Sequence, residues 1–190
     1  MSKTSSTPTR PFVQLAAFSM LVGAFTVIAS PARADERPCE PPGVLKRISG
    51  KIFNNAIGPG DTLGTVHGAI GTSTKLKCGI QGKASFNPDG SFGGFTHTIV
   101  CDDSVAFGTS GDTIHSQIVA ETNFAGVPNF QSCGIPGVDL DFGTFRELSF
   151  PLSGRGIFSP TGGGRLVIDG TLNCAGAIDM KFSGEVCVVR

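Results

Sequence analysis

The segment that decides the fold is Thr74 to Asp102, TKLKCGIQGKASFNPDGSFGGFTHTIVCD, in which two β-type runs flank a turn. The tetrapeptide NPDG at 87–90 supplies the turn, because proline presets φ, aspartate bonds its own backbone, and glycine accepts a positive φ. We therefore predict a hairpin with strands over Thr74–Phe86 and Phe92–Asp102. Cys78 and Cys101 come about level across these strands, at the end away from the turn, so they could form a disulfide.

Outward from this hairpin, the chain repeats the same pattern. Glycine and proline occur every few residues, and no segment beyond residue 34 combines a 3.6-residue apolar period with helix caps. Eight or nine strands with short connections predict an all-β fold: a single antiparallel barrel of about eight strands, with a β-sandwich as the alternative. The remaining predicted strands are Leu45–Phe53, Leu63–Ile70, Thr113–Asn123, Val138–Phe145, Arg146–Leu152, Arg165–Asn173 and Ile178–Val188.

The first 34 residues have the pattern of a cleaved secretory signal peptide. A basic start precedes an uncharged apolar run from Phe12 to Ala29, and Ala32-Arg33-Ala34 supplies a small-x-small cleavage site before Asp35. An uncleaved membrane anchor is the alternative. We expect residues 35–190 to form one exported all-β domain, secreted or periplasmic, that does not stay in the membrane.

Six cysteines follow the signal segment, and in an exported chain they predict three disulfides. Cys174 lies at the tip of a predicted C-terminal hairpin and Cys187 about ten residues down its return strand, so the two are too far apart to bond. Cys187 then needs another partner, for which Cys39 is a candidate, and this would leave Cys133 for Cys174. Because no Cys-x-x-Cys occurs and no histidine lies near a cysteine, a zinc site is not expected.

Part of the C-terminal third, Gly156-Ile-Phe-Ser-Pro-Thr-Gly-Gly-Gly-Arg-Leu-Val-Ile-Asp-Gly-Thr-Leu followed by Ala177-Ile-Asp-Met-Lys-Phe-Ser-Gly-Glu-Val, resembles the closing strands of allene oxide cyclase-like or dirigent-like exported barrels. The resemblance covers about 35 residues and consists mostly of turn chemistry. It implies an eight-stranded antiparallel barrel with a mouth and an apolar interior. No catalytic residue of that family can be matched to a position here, so the resemblance implies a fold and no activity.

Charge and aromatic content exclude several functional classes. Removal of the signal leaves 12 basic and 15 acidic residues, a net charge of −3, so we expect no nucleic-acid partner. The chain beyond residue 34 has 12 phenylalanines and neither tryptophan nor tyrosine, which counts against a lectin and against an outer-membrane barrel. These phenylalanines suit a packed barrel interior or an apolar pocket.

His97 is the candidate site residue that the alternation of side chains singles out. It shares one face of its strand with Phe95, Ile99 and Cys101, whereas His115 faces the other way with polar neighbours. We predict that Phe95, His97 and Ile99 line a ligand cavity, with His97 as a core histidine held by a hydrogen bond or as an acid–base group.

Metal chemistry is the weaker interpretation of the remaining polar residues. A metal site made of three histidines is not favoured, because no two of them lie close together in the sequence; they are His67, His97 and His115. The acidic residues Asp102, Asp103 and Asp112 suit a solvated turn better than a calcium site. We therefore expect no metal and no cofactor. The expected function is non-catalytic binding of a small apolar ligand or a protein partner. A cofactor-free cyclase or isomerase, and a structural or inhibitory sandwich module, are the alternatives.

Overall fold

A computed structural model describes residues 37–107, 112–136 and 141–189 of the chain. The proposed signal segment and its cleavage site lie outside these residues. The described part contains nine β-strands and no helix: β1 Val44–Gly58, β2 Asp61–Ile70, β3 Thr74–Phe86, β4 Phe92–Phe107, β5 Asp112–Phe124, β6 Asn129–Ser132, β7 Asp141–Arg155, β8 Gly164–Leu172 and β9 Ala177–Val188. No segment in the described ranges therefore forms a long apolar helix that could cross a membrane.

The strands close into an antiparallel barrel of eight strands. Neighbours pair in the order β5-β4-β3-β2-β1-β9-β8-β7, and an additional pairing of β5 with β7 joins the two edges. The one strand outside the eight is the short β6, which follows β5 in the chain. It pairs with the start of β7. The predicted barrel is thus confirmed. The alternative sandwich does not form, because the β5–β7 pairing leaves no open edge between two sheets.

The predicted 87–90 hairpin is confirmed, but one predicted break between strands is wrong and one short strand was not predicted. Strands were predicted to end at Phe145 and restart at Arg146, whereas β7 runs through both residues without a turn. No glycine or proline stands at that point to reverse the chain, and a hairpin needs at least two connecting residues. The prediction also missed β6, which at four residues is too short to show a period. Residues 138–140 of the predicted Val138–Phe145 strand lie outside the described residues.

One end of the barrel is filled and the other is hollow. In the filled part, aliphatic side chains from several strands leave a void of only about 30 Å³. Phe158, from the β7–β8 connection, is 3% exposed and packs into this end beside Val188. The opposite end, where the β1–β2, β3–β4 and β8–β9 turns lie, is the mouth of the barrel. The side chains that fill the interior include Ile48, Ile52, Val66, Leu76, Ile80, Ile118, Leu166, Ile168, Phe182 and Val186.

All six cysteines are paired in three disulfides, as the sequence led us to expect. Cys78 and Cys101 are register partners on β3 and β4, with their Cα atoms 3.8 Å apart. Cys39 joins Cys187 and so ties the N-terminal segment to β9, and Cys133 joins Cys174. Three disulfides in a domain of this size are typical of proteins that fold in an oxidising, extracellular environment.

Candidate functional site

The mouth of the barrel holds a cavity of about 160 Å³. Its wall is mostly apolar, but three of its polar residues are buried: Asn54 on β1, His97 on β4 and Glu147 on β7. Each of these side chains points inward, and the residue before it in its strand is exposed, as the alternation of side chains in a strand requires. The residues that line the cavity are Asn54, Thr62, Phe95, His97, Phe124, Phe130, Phe145, Glu147, Leu172, Ile178 and Met180.

A buried hydrogen-bond relay fixes the ring of His97. Nδ1 of His97 lies 2.9 Å from Oγ1 of Thr122, and the Thr122 hydroxyl donates to Oγ of Ser149 at 2.8 Å. Because the Thr122 proton is used toward Ser149, Thr122 accepts from His97, so the His97 proton is on Nδ1. Nε2 then carries the free lone pair of the ring. Gly82, the register partner of His97 on β3, leaves the space that this nitrogen occupies, since an added Cβ there would lie 2.9 Å from it.

Two buried polar atoms of the cavity wall have no hydrogen-bond partner. Nδ2 of Asn54 donates to Oγ1 of Thr62 at 3.2 Å, but Oδ1 of Asn54 is unpartnered. Oε2 of Glu147 is likewise unpartnered, and Glu147 is only 4% exposed. An unsatisfied buried polar group costs about 1–3 kcal/mol, so these atoms destabilise the protein unless something else bonds to them.

Burial keeps both titratable side chains of the cavity neutral near pH 7. It lowers the pKa of His97 to about 4, because the imidazolium form would be poorly solvated. Burial also raises the pKa of Glu147 to about 8, because the carboxylate form would be poorly solvated, so the carboxylic acid stays protonated. The cavity therefore offers an imidazole base and a neutral carboxylic acid in an apolar surrounding.

Phenylalanines surround one side of the mouth as a continuous cluster. Phe124 is its centre, with ring centroids 5.2 Å from Phe92, 5.8 Å from Phe95, 6.0 Å from Phe130 and 6.0 Å from Phe145. Such tilted and edge-on contacts are the favoured geometry of aromatic pairs. Two rings at the outer border of the cluster are exposed, Phe86 at 61% and Phe92 at 37%. An apolar molecule entering the cavity would therefore meet an apolar rim.

The structure brings together two of the three residues predicted to line a cavity. Phe95 and His97 are in the cavity wall, and their rings stack with centroids 5.9 Å apart. Ile99 lies one layer deeper, packed against the filled core, and does not line the mouth. Sequence reasoning missed Asn54 and Glu147. The signal for Glu147 was that it shares one face of its strand with Phe145 and Ser149, and the wrong strand break after Phe145 concealed this.

The metal interpretations find no support in the geometry. His67 and His115 are exposed on the outer wall while His97 points inward, so the three histidines do not converge. Asp103 instead joins β4 to β5 at a bulge, where Oδ2 accepts a hydrogen bond of 2.5 Å from Ser116. Across the described residues, no group of three or more His, Cys, Asp or Glu could hold a metal ion. The side chain of Asp112 lies outside the described residues.

Fold and site together define a small closed barrel with a partly polar cavity at one end. Comparison with protein-family models, with curated proteins and with solved structures finds no match to this chain. Its function must therefore be argued from its own residues.

Proposed function

We propose that the protein binds a small, largely apolar ligand in the mouth cavity. The observation that supports this most directly is the hollow end of the barrel, a cavity of about 160 Å³ with phenylalanines in its wall, beside a filled part whose void is only about 30 Å³. A barrel interior that served stability alone would be filled, as it is at the Phe158 end. A bound ligand would fill the space that the side chains leave open.

The volume and the lining of the cavity restrict the size of the ligand. A cavity of about 150 Å³ lined by apolar side chains accommodates benzene, and the mouth cavity has a similar volume of about 160 Å³. The ligand would lie against the rings of Phe95, Phe124 and Phe145, and the exposed rings of Phe86 and Phe92 would line its entry. A single six-membered ring with a short substituent suits this space.

Toluene titration by NMR tests the proposal, with the methyl resonances of Met180 and Ile178 as reporters. We expect saturable shifts of these resonances, because both side chains line the cavity. Leu172→Trp should abolish the shifts by filling the mouth. The matched control is Thr171→Trp, which places the same ring on the outer face of the same strand, where Thr171 is exposed. If toluene fails to shift the wild-type resonances, or shifts them equally in Leu172→Trp, the proposed function is wrong.

A second candidate function is cofactor-free isomerisation in the same cavity. The observation that favours it is the presence of a neutral base, Nε2 of His97, and a neutral acid, Glu147, in one apolar wall. With a β,γ-unsaturated ketone, Nε2 would take a proton from the carbon between the carbonyl and the double bond, while Glu147 protonates the carbonyl oxygen. Protonated Nε2 of His97 would then return its proton to the γ-carbon. The enol hydroxyl would give its proton back to Glu147, which yields the conjugated ketone.

Conversion of cyclohex-3-enone to cyclohex-2-enone, followed by ultraviolet absorption, tests this candidate. His97→Gln and Glu147→Gln should each remove the protein-dependent rate, and His115→Gln, on the exposed outer wall, should leave it unchanged. A wild-type rate no faster than that of buffer, with toluene binding intact, would leave binding as the function.

We also propose that the chain is exported and that its first 34 residues are removed. The three disulfides support this, because they are typical of chains that fold outside the cytoplasm. The apolar run and the Ala32-Arg33-Ala34 pattern provide the sequence argument. Mass spectrometry of the protein isolated from a bacterial periplasm or culture medium should give a mass that begins at Asp35. A full-length mass would contradict this.

A further inference from the structure

We infer that the Cys133–Cys174 disulfide is a redox-sensitive latch on the mouth cavity: it holds a short flap closed, and a dithiol that reduces it frees the flap. The flap is the segment from Asn129 to Cys133, which consists of β6 and the cysteine that follows it. The inference rests on the proposed binding function and concerns the regulation of that same cavity.

The flap supplies one ring of the cavity wall. Phe130 lines the cavity, and its ring centroid lies 6.0 Å from that of Phe124 and 6.0 Å from that of Phe145. Phe130 is partly buried, whereas the other three residues of β6 are exposed. Movement of the flap away from the barrel therefore takes Phe130 out of the wall and widens the mouth.

The backbone pairing that holds the flap is short. In the described sheet β6 is the end strand, and it pairs over four residues with the start of β7, from Asn129 opposite Thr144 to Ser132 opposite Asp141. A two-stranded hairpin is marginally stable in water, so a pairing of this length opens readily. The disulfide adds a covalent bond at the end of β6, to the turn between β8 and β9. It therefore controls how often the flap opens.

This disulfide is also the one that a reductant in solution reaches most easily. Cys133 and Cys174 are both partly exposed, and the residues on either side of each are exposed. In each of the other two disulfides at least one cysteine is buried, since Cys78 is 7% exposed, Cys101 2% and Cys187 2%. Exposed disulfides are the labile ones, whereas buried cysteines are inert.

Reduction of the latch is a thiol–disulfide exchange. One thiolate of the dithiol attacks a sulfur of the disulfide, which breaks the Sγ–Sγ bond between Cys133 and Cys174 and forms a mixed disulfide. The second thiol of the reductant then displaces the protein sulfur. Two electrons and two protons pass to the protein, so both cysteines become thiols and the dithiol becomes a disulfide.

Amide hydrogen exchange tests the latch without a ligand. The amide protons of β6 should exchange about tenfold faster in Cys133→Ser/Cys174→Ser than in the wild type, because only the four-residue pairing then opposes opening. The amides of β2 should be unaffected. Wild-type protein treated with dithiothreitol until this disulfide alone is open, as alkylation and intact mass report, should behave like the variant. Cys78→Ala/Cys101→Ala is the matched control, because that disulfide borders the filled part of the barrel.

The exchange of toluene tests the effect on the cavity, with the methyl resonances of Met180 and Ile178 as reporters. Association and dissociation rates should both rise about tenfold when the latch is removed, because the flap must open for the ligand to pass. Phe130→Ala should speed both rates with the disulfide intact. Phe142→Ala is its matched control, since Phe142 lies in the same hairpin and is 40% exposed.

The two measurements separate the latch from the binding function. If removal of the disulfide leaves the amide exchange of β6 or the toluene rates unchanged, the inference is overturned and the binding function stands. Failure of toluene to bind the wild type would instead refute the binding function, and the amide exchange of β6 would still decide whether this disulfide holds the flap closed.

Discussion

Replacement of Glu147 by glutamine should change how the stability of the protein depends on pH. The folded protein holds the Glu147 proton up to about pH 8, whereas the unfolded chain releases it near its ordinary value of 4.5. Between these values the folded state binds more protons, so its stability falls as the pH rises, by about 1.4 kcal/mol per pH unit. The total loss is on the order of 5 kcal/mol, complete above pH 8.

His97 contributes the opposite slope over part of this range. Its pKa is 6.5 in the unfolded chain and about 4 in the folded protein, so its contribution to stability is lost as the pH falls from 6.5 to 4. The two slopes cancel between about pH 4.5 and 6.5. The wild-type protein should therefore keep a nearly constant free energy of unfolding across that interval, and lose about 2 kcal/mol between pH 6.5 and 8.

Urea unfolding at pH 5, 6.5 and 8, with the disulfides intact, measures these differences. Glu147→Gln should remove the loss between pH 6.5 and 8, because glutamine does not titrate. It should also expose the His97 slope below pH 6.5. Glu185→Gln is the control, since Glu185 is exposed on the outer wall and its replacement should leave the wild-type profile unchanged. Parallel profiles of wild type and Glu147→Gln from pH 6.5 to 8 would refute the burial argument for this carboxyl group.

Three further predictions concern the relay, the bulge and the disulfides. His97→Gln should leave the Glu147 slope uncompensated, so the free energy of unfolding should rise by about 2 kcal/mol as the pH falls from 6.5 to 5; a flat profile in the same urea series would contradict this. Ser116→Ala should cost about 2–3 kcal/mol in the free energy of unfolding, because buried Ser116 donates to a carboxylate and accepts from the Ile157 amide; an unchanged denaturation midpoint would argue against it. Removing the Cys39–Cys187 disulfide should cost about 5 kcal/mol and removing Cys78–Cys101 about 3, since the first closes a separation of 148 residues and the second one of 23. The reverse order in guanidinium unfolding would contradict the chain-entropy reasoning.

The strands and the local pairings could be predicted from the sequence because their signals are local. The NPDG turn sets the register of β3 against β4, and this register places Cys78 directly opposite Cys101. Alternation along β4 correctly placed Phe95, His97 and Ile99 on one face, all of which point into the barrel. Where the local signal was absent, the prediction failed, as at the Phe145–Arg146 break and at four-residue β6. The resemblance of the C-terminal third to allene oxide cyclase-like or dirigent-like barrels stays a prediction.

The depth of each side chain in the barrel could not be predicted in the same way. Alternation tells which face a residue occupies and not how far along the barrel it lies. Ile99 and His97 share a face, yet Ile99 packs in the filled part and His97 reaches the cavity. That difference depends on the tilt and stagger of eight strands, which only the closed barrel defines.

By itself, the sequence determined that this is an all-β chain with three disulfides. Turn chemistry and side-chain alternation act over short distances, and the count of six cysteines predicts three pairs. Only the tertiary structure decided that the barrel closes through β5 and β7 and is hollow at one end. It also decided which polar residues share that hollow. Asn54, His97 and Glu147 lie on three strands far apart in the chain, and their meeting, like the burial that keeps two of them neutral, exists only once the sheet has closed.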